Sequence, residues 1–456
     1  MRINKLDNVE VNLEDGHKYA LTDIKAGEHV IKYGNPIGHA TCDIKVGEHV
    51  HTHNVKTNLS DTLTYTYERE ESDFTVTKTA RTFMGYRRAN GDVGIRNEIW
   101  IVNTVGCVNK IAERLAALTG ALAFPHPFGC SQLGEDQSVT QKILAGMVRH
   151  PNAAGVLVLG LGCENNNIEL FKAVLGEYDE KRVKFLNCQD FEDEIAEGVR
   201  LIDELKAYAA TFTREPIPVS ELRVGLKCGG SDGYSGITAN PLVGRFSDNL
   251  IGMGGSCVLT EVPEMFGAEH LLMQRCESRE IFDKTVSLVN DFKDYYKRHG
   301  QVVYENPSPG NKKGGITTLE EKSLGCVQKA GAAPVVDVMD YGDTVRKNGL
   351  SLLNGPGNDL VAVTNLMAAG CHLILFTTGR GTPLGAPVPT VKVATNATLA
   401  ERKANWIDFD ASPVLEGNDL DGAFLDFVLA VASGNETKNE LRGYREISIF
   451  KDGVTL

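Results

Sequence analysis

Short apolar runs, each closed by a cluster of small and polar residues, recur through the chain from residue 99 onward. Ile99–Val105, Gly155–Leu161, Val183–Leu186, Leu222–Leu226, Ser256–Thr260, His372–Phe376 and Val391–Ala394 are too short for helices and rich in β-branched residues, so they predict buried strands. Helical spacing fills the intervals at Lys110–Leu118, Val139–Val148, Ile168–Val174, Phe191–Ala209 and Arg279–Arg298, and Thr318 followed by Glu321 predicts a capped helix start. Strand alternating with helix implies parallel, doubly wound sheets. Thr211–Ser220, with Pro216 and Pro218, reads as a joint, which divides this region into α/β domains over 85–215 and 216–456.

The first 75 residues follow another pattern. Asp23-Ile-Lys-Ala-Gly-Glu-His-Val-Ile is echoed as Asp43-Ile-Lys-Val-Gly-Glu-His-Val-His, each copy a Gly-containing turn feeding an alternating strand. With Thr62–Tyr67 also alternating, residues 1–75 predict a small all-β unit with pseudo-symmetric hairpins. A charged, Thr-rich stretch around 76–84 reads as a linker.

With 456 residues, 42% hydrophobic and 23% charged, the chain is an ordinary globular composition with room for two or three domains. A formal charge of −13 argues against nucleic acid or an anionic membrane as partner. No apolar run nears the roughly 20 residues of a membrane span. MRINKLDNVE lacks the apolar core of a signal peptide, and ten scattered cysteines suit a reducing cytoplasm.

Ligands of open α/β sheets bind beyond the carboxyl ends of the strands, so the residues standing there are the candidates. After Leu222–Leu226 comes a loop with Gly229, Gly230, Gly233 and Gly236, interleaved with Cys228, Asp232 and Ser235 and leading to Asn240. Strand, glycine loop and helix start present backbone N–H groups to a carboxylate or phosphate. Four glycines alone fit an ordinary turn equally well; the small polar residues among them favour a site. Cys107, Cys163 and Cys188 follow strands, Glu261 and Glu264 follow another, Arg380 lies on a Gly-flanked loop, and FPHPFGCSQLGED carries His126, Cys130, Glu135 and Asp136. In the β unit, His49, His51 and His53 share one face of a strand and suit a divalent transition metal, a direct contact to substrate, or a solvated strand end. His17 and His39 lie close enough in the pattern to join them. The chain has no G-x-S-x-G elbow, no Walker A loop and no G-x-G-x-x-G after a first strand. The set suits chemistry on a hydroxy acid instead.

GEHVHTHN, GYRRANGDVGIRN, VLGLGCENN, CGGSDGYSGITANP, SPGNKKGGITTLEEKSLG and LILFTTGRGTPLG together resemble the altronate/galactarate dehydratase family, to which the sulfolactate sulfo-lyases are related. The resemblance runs from about His17 to Phe409. It implies an SAF-type β-clip domain followed by two Rossmann-like α/β domains, and β-elimination of water from a sugar acid, D-altronate ahead of galactarate. The implied cofactor is Fe2+ or another divalent metal such as Mn2+, with His49, His51 and His53 as metal or substrate ligands. An iron–sulfur cluster on Cys107, Cys130, Cys163 and Cys228 is the alternative. His126, Glu135, Asp136 and Glu261 become proton-transfer candidates. Asp232, Ser235, Asn240 and Arg380 grip the substrate, and the loop with Lys312 and Lys313 is either a lid or a solvated turn. A homodimer is a family-level expectation, and a sugar-acid-binding protein without catalysis is the reading from another class. Ser131 stands where the resemblance implies glycine.

Overall fold

A computed structural model describes residues 1–70, 74–76 and 80–455. The N-terminal unit is two three-stranded antiparallel sheets, one of Val9–Val11, Lys18–Ala20 and His49–Val50, the other of His29–Lys32, Asn35–Ala40 and Val55–Lys56. The sequence echo closes on itself as a local two-fold. Ile24 bridges Ile44, while Lys25 meets Asp43 and Lys45 meets Asp23, both at 2.8 Å. Gly27 and Gly47 take positive φ in the matching turns.

Thr62–Tyr67 is not a strand of this unit. Its alternation places Tyr65 and Tyr67 against the core of the C-terminal domain while making no ladder: the Tyr65 hydroxyl donates to Glu269 and that of Tyr67 to the Cys276 carbonyl at 2.8 Å. The segment is an extended strap. Part of the expected linker, residues 77–79, lies outside the described residues, and its end is the strand Thr82–Arg87, which pairs with Glu215–Pro218 and so brings the entry and exit of the second domain together.

The second domain is a parallel sheet in the order Leu122–Ala123, Glu98–Asn103, Ala153–Gly160, Val183–Asn187, with helices Asn109–Thr119, Gly134–Arg149, Ile168–Leu175 and Glu194–Ala209 packed over it. The C-terminal domain is a seven-stranded parallel sheet: Val335–Met339, Gly349–Leu353, Ser256–Leu259, Arg223–Cys228, Leu373–Thr378, Thr390–Ala394, Phe409–Asp410. The expected small all-β unit is thus followed by parallel-sheet, Rossmann-like α/β domains. The α/β domains share one apolar core, in which helix Gly134–Arg149 lies so close to Asp359–Ala368 that a Cβ at Gly146 would stand 2.7 Å from the Ala368 carbonyl. The end of the chain runs back to the second domain, where Asp136 accepts the N–H groups of Asp452 and Gly453 and Gln132 bridges Thr455. Among the described residues no helix is long and apolar enough to cross a membrane.

Candidate active site

The glycine loop after Arg223–Cys228 is built for the approach of the β unit. A Cβ at Gly233 would fall 2.0 Å from the Gly16 carbonyl oxygen, and one at Gly236 2.3 Å from the Tyr33 hydroxyl. These two glycines therefore admit a neighbouring domain rather than a ligand. Asp232 pins the loop: its carboxylate accepts from Thr395 and Ser235 at 3.0 Å, from Asn396 at 2.9 Å and from the Tyr234 N–H at 3.1 Å. Burial pushes its pKa up, against those donors. Asn240 is equally occupied, donating to the Gly325 carbonyl and accepting from Thr377. Asp232, Ser235 and Asn240 hold the loop's shape and leave little hydrogen-bonding capacity for a substrate. Arg380 is exposed beside Gly230, and Lys312 is half-buried on Pro309–Lys313, which the Asn311 amide ties to the Ser231 carbonyl at 2.8 Å.

Behind this loop lies a buried ionic centre. Cys228, at the end of its strand, faces Cys326 with sulfurs 3.3 Å apart, and both thiols contact Glu264 Oε2, at 3.2 and 3.1 Å. Three ammoniums surround them: Lys322 on Glu264 at 2.8 Å, Lys329 on Cys228 at 3.0 Å, and Lys227 on Glu261 and Asp359. The hydrogen bond from Cys326, opposed by burial and by Glu264 but aided by Lys329 and Lys227, brings Cys228 down to about 6. Burial alone would raise the Glu264 carboxyl; Lys322, Lys227 and Lys329 overcome it and hold it ionised. Glu261 adopts a left-handed backbone, φ 69°, which in a non-glycine residue marks a position held by its surroundings.

Ligand atoms of Cys228, Glu264 and Cys326 all lie within 4.8 Å of one another, which no other group of His, Cys, Asp and Glu among the described residues achieves. Two sulfurs and a carboxylate make a borderline-soft set with positions to spare, and they are capable of coordinating a single divalent ion. His49, His51 and His53, the other candidates for a metal, are not among the groups that meet this distance. Their strand stops at Val50, and residues 51–54 are a turn closed by Asn54 accepting the His51 N–H. The rings still gather, joined by His17, whose Nδ1 is 3.0 Å from His49 Nε2, and His51 Nδ1 reaches Thr317 at 3.1 Å. Burial, with Lys18 and His17, lowers His51 to about 4, so its imidazole is neutral at pH 7.

The β unit is locked to the centre through Glu321, which receives Lys18 at 2.9 Å and Lys32 at 2.8 Å, all fully buried. Thr318 caps the helix Leu319–Cys326, but Glu321 does not reach back to it. Its carboxylate takes the lysines and the Thr317 N–H instead. Between Tyr33, Asp232, Ser235, Lys322 and Cys326 a void of about 10 Å³ remains, roughly the space of a single water.

The second domain's candidates lie elsewhere. His126 is buried with both ring nitrogens used, Nε2 on the Asn103 carbonyl at 2.8 Å and Nδ1 on the Phe128 N–H at 3.2 Å, which leaves no free atom for proton transfer. Asp136 anchors the chain end. Glu135 is exposed on a separate cavity of about 390 Å³ between the α/β domains, whose other wall includes Asn354, Gly355 and Pro356. Cys107, Cys130 and Cys163 are exposed at the end of the four-stranded sheet, so Cys228, buried in the other domain, cannot join them in one cluster. Sequence reasoning missed Lys227, Lys322, Cys326 and Lys329. The signal was the helix Leu319–Cys326, buried on every face yet carrying Glu320, Glu321 and Lys322.

Comparison with known proteins agrees with this architecture. Residues 1–58 match the model of the altronate/galactarate dehydratase SAF domain. Residues 85–210 match the D-galactarate dehydratase/altronate hydrolase second domain, and 219–455 the D-galactarate/altronate dehydratase C-terminal domain. The chain is 55% identical to altronate dehydratase of Bacillus subtilis, over 98% of this chain and 93% of that one. It is 52% identical to altronate dehydratase of Escherichia coli, over 100% and 99%, and 33% identical to its galactarate dehydratase (L-threo-forming), over 93% and 87%. Three domains matched in order, a buried centre able to hold a divalent ion and near-complete coverage of these relatives lead to one conclusion: the chain belongs to the altronate/galactarate dehydratase family and is a metal-dependent sugar-acid hydro-lyase.

Proposed function

We propose that the substrate is D-altronate, which loses the proton α to its carboxylate and its β-hydroxyl as water to give a 2-keto-3-deoxy acid. The observation that carries the reading is the Cys228–Glu264–Cys326 constellation ringed by ammoniums at the carboxyl end of the large sheet. Identities of 55% and 52% to altronate dehydratases, against 33% to a galactarate dehydratase, support the choice of acid. Cys228, Glu264 and Cys326 would hold the ion, for which we take iron(II) with manganese(II) as substitute, and it would supply a Lewis acid toward the substrate carboxylate, making the α-carbon more acidic.

Around it the chain supplies fixed charge and proton carriers. Lys322 and Lys329 place positive charge where the enediolate develops. Glu261, contacting both Lys227 and Lys329, is the base we assign. Arg380 and Lys312 hold the far end of the acid at the rim, and the gathered imidazoles of His17, His49 and His51, the last of them neutral, serve the departing hydroxyl. The remaining void is too small for a six-carbon acid, so binding requires the side chains around it to shift. Ten unpaired cysteines fit a reducing compartment, and we place the enzyme in the cytoplasm.

The test is anaerobic incubation with altronate, galactarate and sulfolactate, with and without added iron(II), reading 2-keto acid and sulfite. We expect keto acid from altronate at a kcat/KM at least about tenfold above that for galactarate. Saturable binding without product from any acid would make the chain a binding protein and end the reading.

A further inference from the structure

We propose that Cys107, Cys130 and Cys163 form a second inorganic site, ligating an iron–sulfur cluster through three thiolates at the carboxyl end of the second domain's sheet. Of ten free cysteines four are exposed, and three of these stand here. Exposed thiols are chemically vulnerable, and scattered placement would not put three of four on one sheet end.

The topology brings them together. Asn103 and Leu159 are paired neighbours on adjacent parallel strands, and Cys107 and Cys163 each lie four residues beyond that pair. The Cys130 loop is bonded to both: Gly106 N–H donates to the Phe128 carbonyl at 2.9 Å, Asn166 N–H to the Gly129 carbonyl at 3.0 Å, and Ser131 N–H to the Asn165 side chain at 2.9 Å. A Cβ at Gly129 would lie 1.9 Å from the Thr104 carbonyl oxygen, so only glycine permits this approach. His126 is the staple that fixes the loop from within, through Asn103 and Phe128. It is a positioning residue for Cys130.

The sulfurs already have polar donors around them. The Gln189 amide points to Cys163 at 3.5 Å and the Ser131 hydroxyl to Cys130 at 3.8 Å. Gln132, two residues past Cys130 and 3% exposed, keeps a buried amide nitrogen without a partner. Donors such as those of Gln189 and Ser131 tune a cluster's sulfurs. Spacing decides between one ion and a cluster. Thiolates on one ion, with bonds of about 2.3 Å, sit within about 4.6 Å of each other. This trio is not among the groups whose ligand atoms fall within 4.8 Å, so its sulfurs as placed are spread wider than the ligands of one ion. Three thiols each release a proton on ligation, and three ligands leave one iron of a four-iron cluster without a cysteine.

The experiment is anaerobic purification of the full chain followed by iron, acid-labile sulfide and visible absorption. We expect sulfide in about equal amount to cluster iron, with at least half of it lost in each of Cys107→Ser, Cys130→Ser and Cys163→Ser. Cys228→Ser and Cys326→Ser should keep it, which separates this site from the hydro-lyase centre whether or not that centre dehydrates altronate. A readout without substitution guards against misfolding: in untreated protein these three cysteines should resist alkylation while Cys42 reacts, and chelator treatment should expose all of them. Iron without sulfide, sulfide that survives in the triple serine variant, or alkylation equal before and after chelation would overturn the proposal.

Discussion

Two sheet ends in this molecule carry cysteines, and they are built on opposite principles. At the seven-stranded sheet, Cys228 and Cys326 are buried under the β unit, and lysines and glutamates offset one another around them. At the four-stranded sheet, Cys107, Cys130 and Cys163 are open to solvent, and backbone hydrogen bonds rather than ion pairs hold their loops. The first end tunes charge for chemistry on an anion; the second leaves thiols free for a ligand of their own. The roof makes the difference, since removing ions from water forces each to find a partner.

The sharpest way to break the comparison is Glu264→Gln. It removes the carboxylate from the Cys228–Cys326 pair and strands Lys322. The dehydration rate constant kcat/KM should fall by more than about 1000-fold, beyond the 10–100-fold that losing a residue supporting a ligand costs. Labile sulfide should be unchanged. Loss of both together, in protein whose circular dichroism remains native, would mean the two ends are not independent.

How much of this contrast could be read from the chain alone depended on periodicity. The strands and the loops after them were legible, because a buried parallel strand is a short apolar run closed by small residues. The position of Asp232, Ser235 and Cys228 beyond a strand end was legible too, but not that Asp232 and Ser235 spend their hydrogen bonds on the loop itself. Strands Val335–Met339 and Gly349–Leu353 were not seen, the first because Asp337 breaks its apolar run. Lys227, Lys322 and Lys329 were invisible for a physical reason: pattern reading assigns a lysine to solvent, and only a three-dimensional partner such as Glu261 or Glu264 permits its burial. The histidines gather as expected but not by the route expected. Alternation is informative only while the strand lasts, and this one ends at Val50.

The roof itself is tested by Glu321→Gln, which leaves Lys18 and Lys32 buried without a carboxylate. We expect a loss of about 3–5 kcal/mol in urea unfolding and faster proteolysis of the strap between the β unit and the second domain. The pH dependence has a definite sign. Burial would raise the Glu321 carboxyl, but Lys18 and Lys32 bring it down to about 2, from an ordinary 4.5. A lowered carboxylate stabilises the fold above its unfolded value, and the contribution disappears as pH falls through its folded one. Wild type and variant should therefore differ most above pH 4.5 and converge toward pH 2. Lys18, lowered to about 8 by burial despite Glu321, offsets part of the gain at neutral pH.

Arg380→Met asks whether the rim binds rather than reacts. A charged hydrogen bond contributes about 1.5–3 kcal/mol, so KM for altronate should rise roughly 10- to 100-fold with kcat within about threefold, the signature of uniform binding. A fall in kcat of the same size, with KM unmoved, would place Arg380 in the chemistry instead.

The smallest effect belongs to the open end. Ser131 holds φ 60°, a left-handed conformation that glycine adopts freely and that costs other residues about 1–2 kcal/mol. Ser131→Gly removes that strain but frees the unfolded chain, which returns about 0.4–1 kcal/mol. The net should be a gain of no more than about 1.6 kcal/mol, read as a slightly higher urea midpoint. Serine persists at a strained position, and its hydroxyl is directed at the Cys130 sulfur. If that contact serves a bound cluster, the glycine variant should be a little more stable without iron and hold its labile sulfide less firmly under chelator. The same substitution would then raise stability at the open sheet end while loosening its ligand, a split that a purely structural serine does not produce.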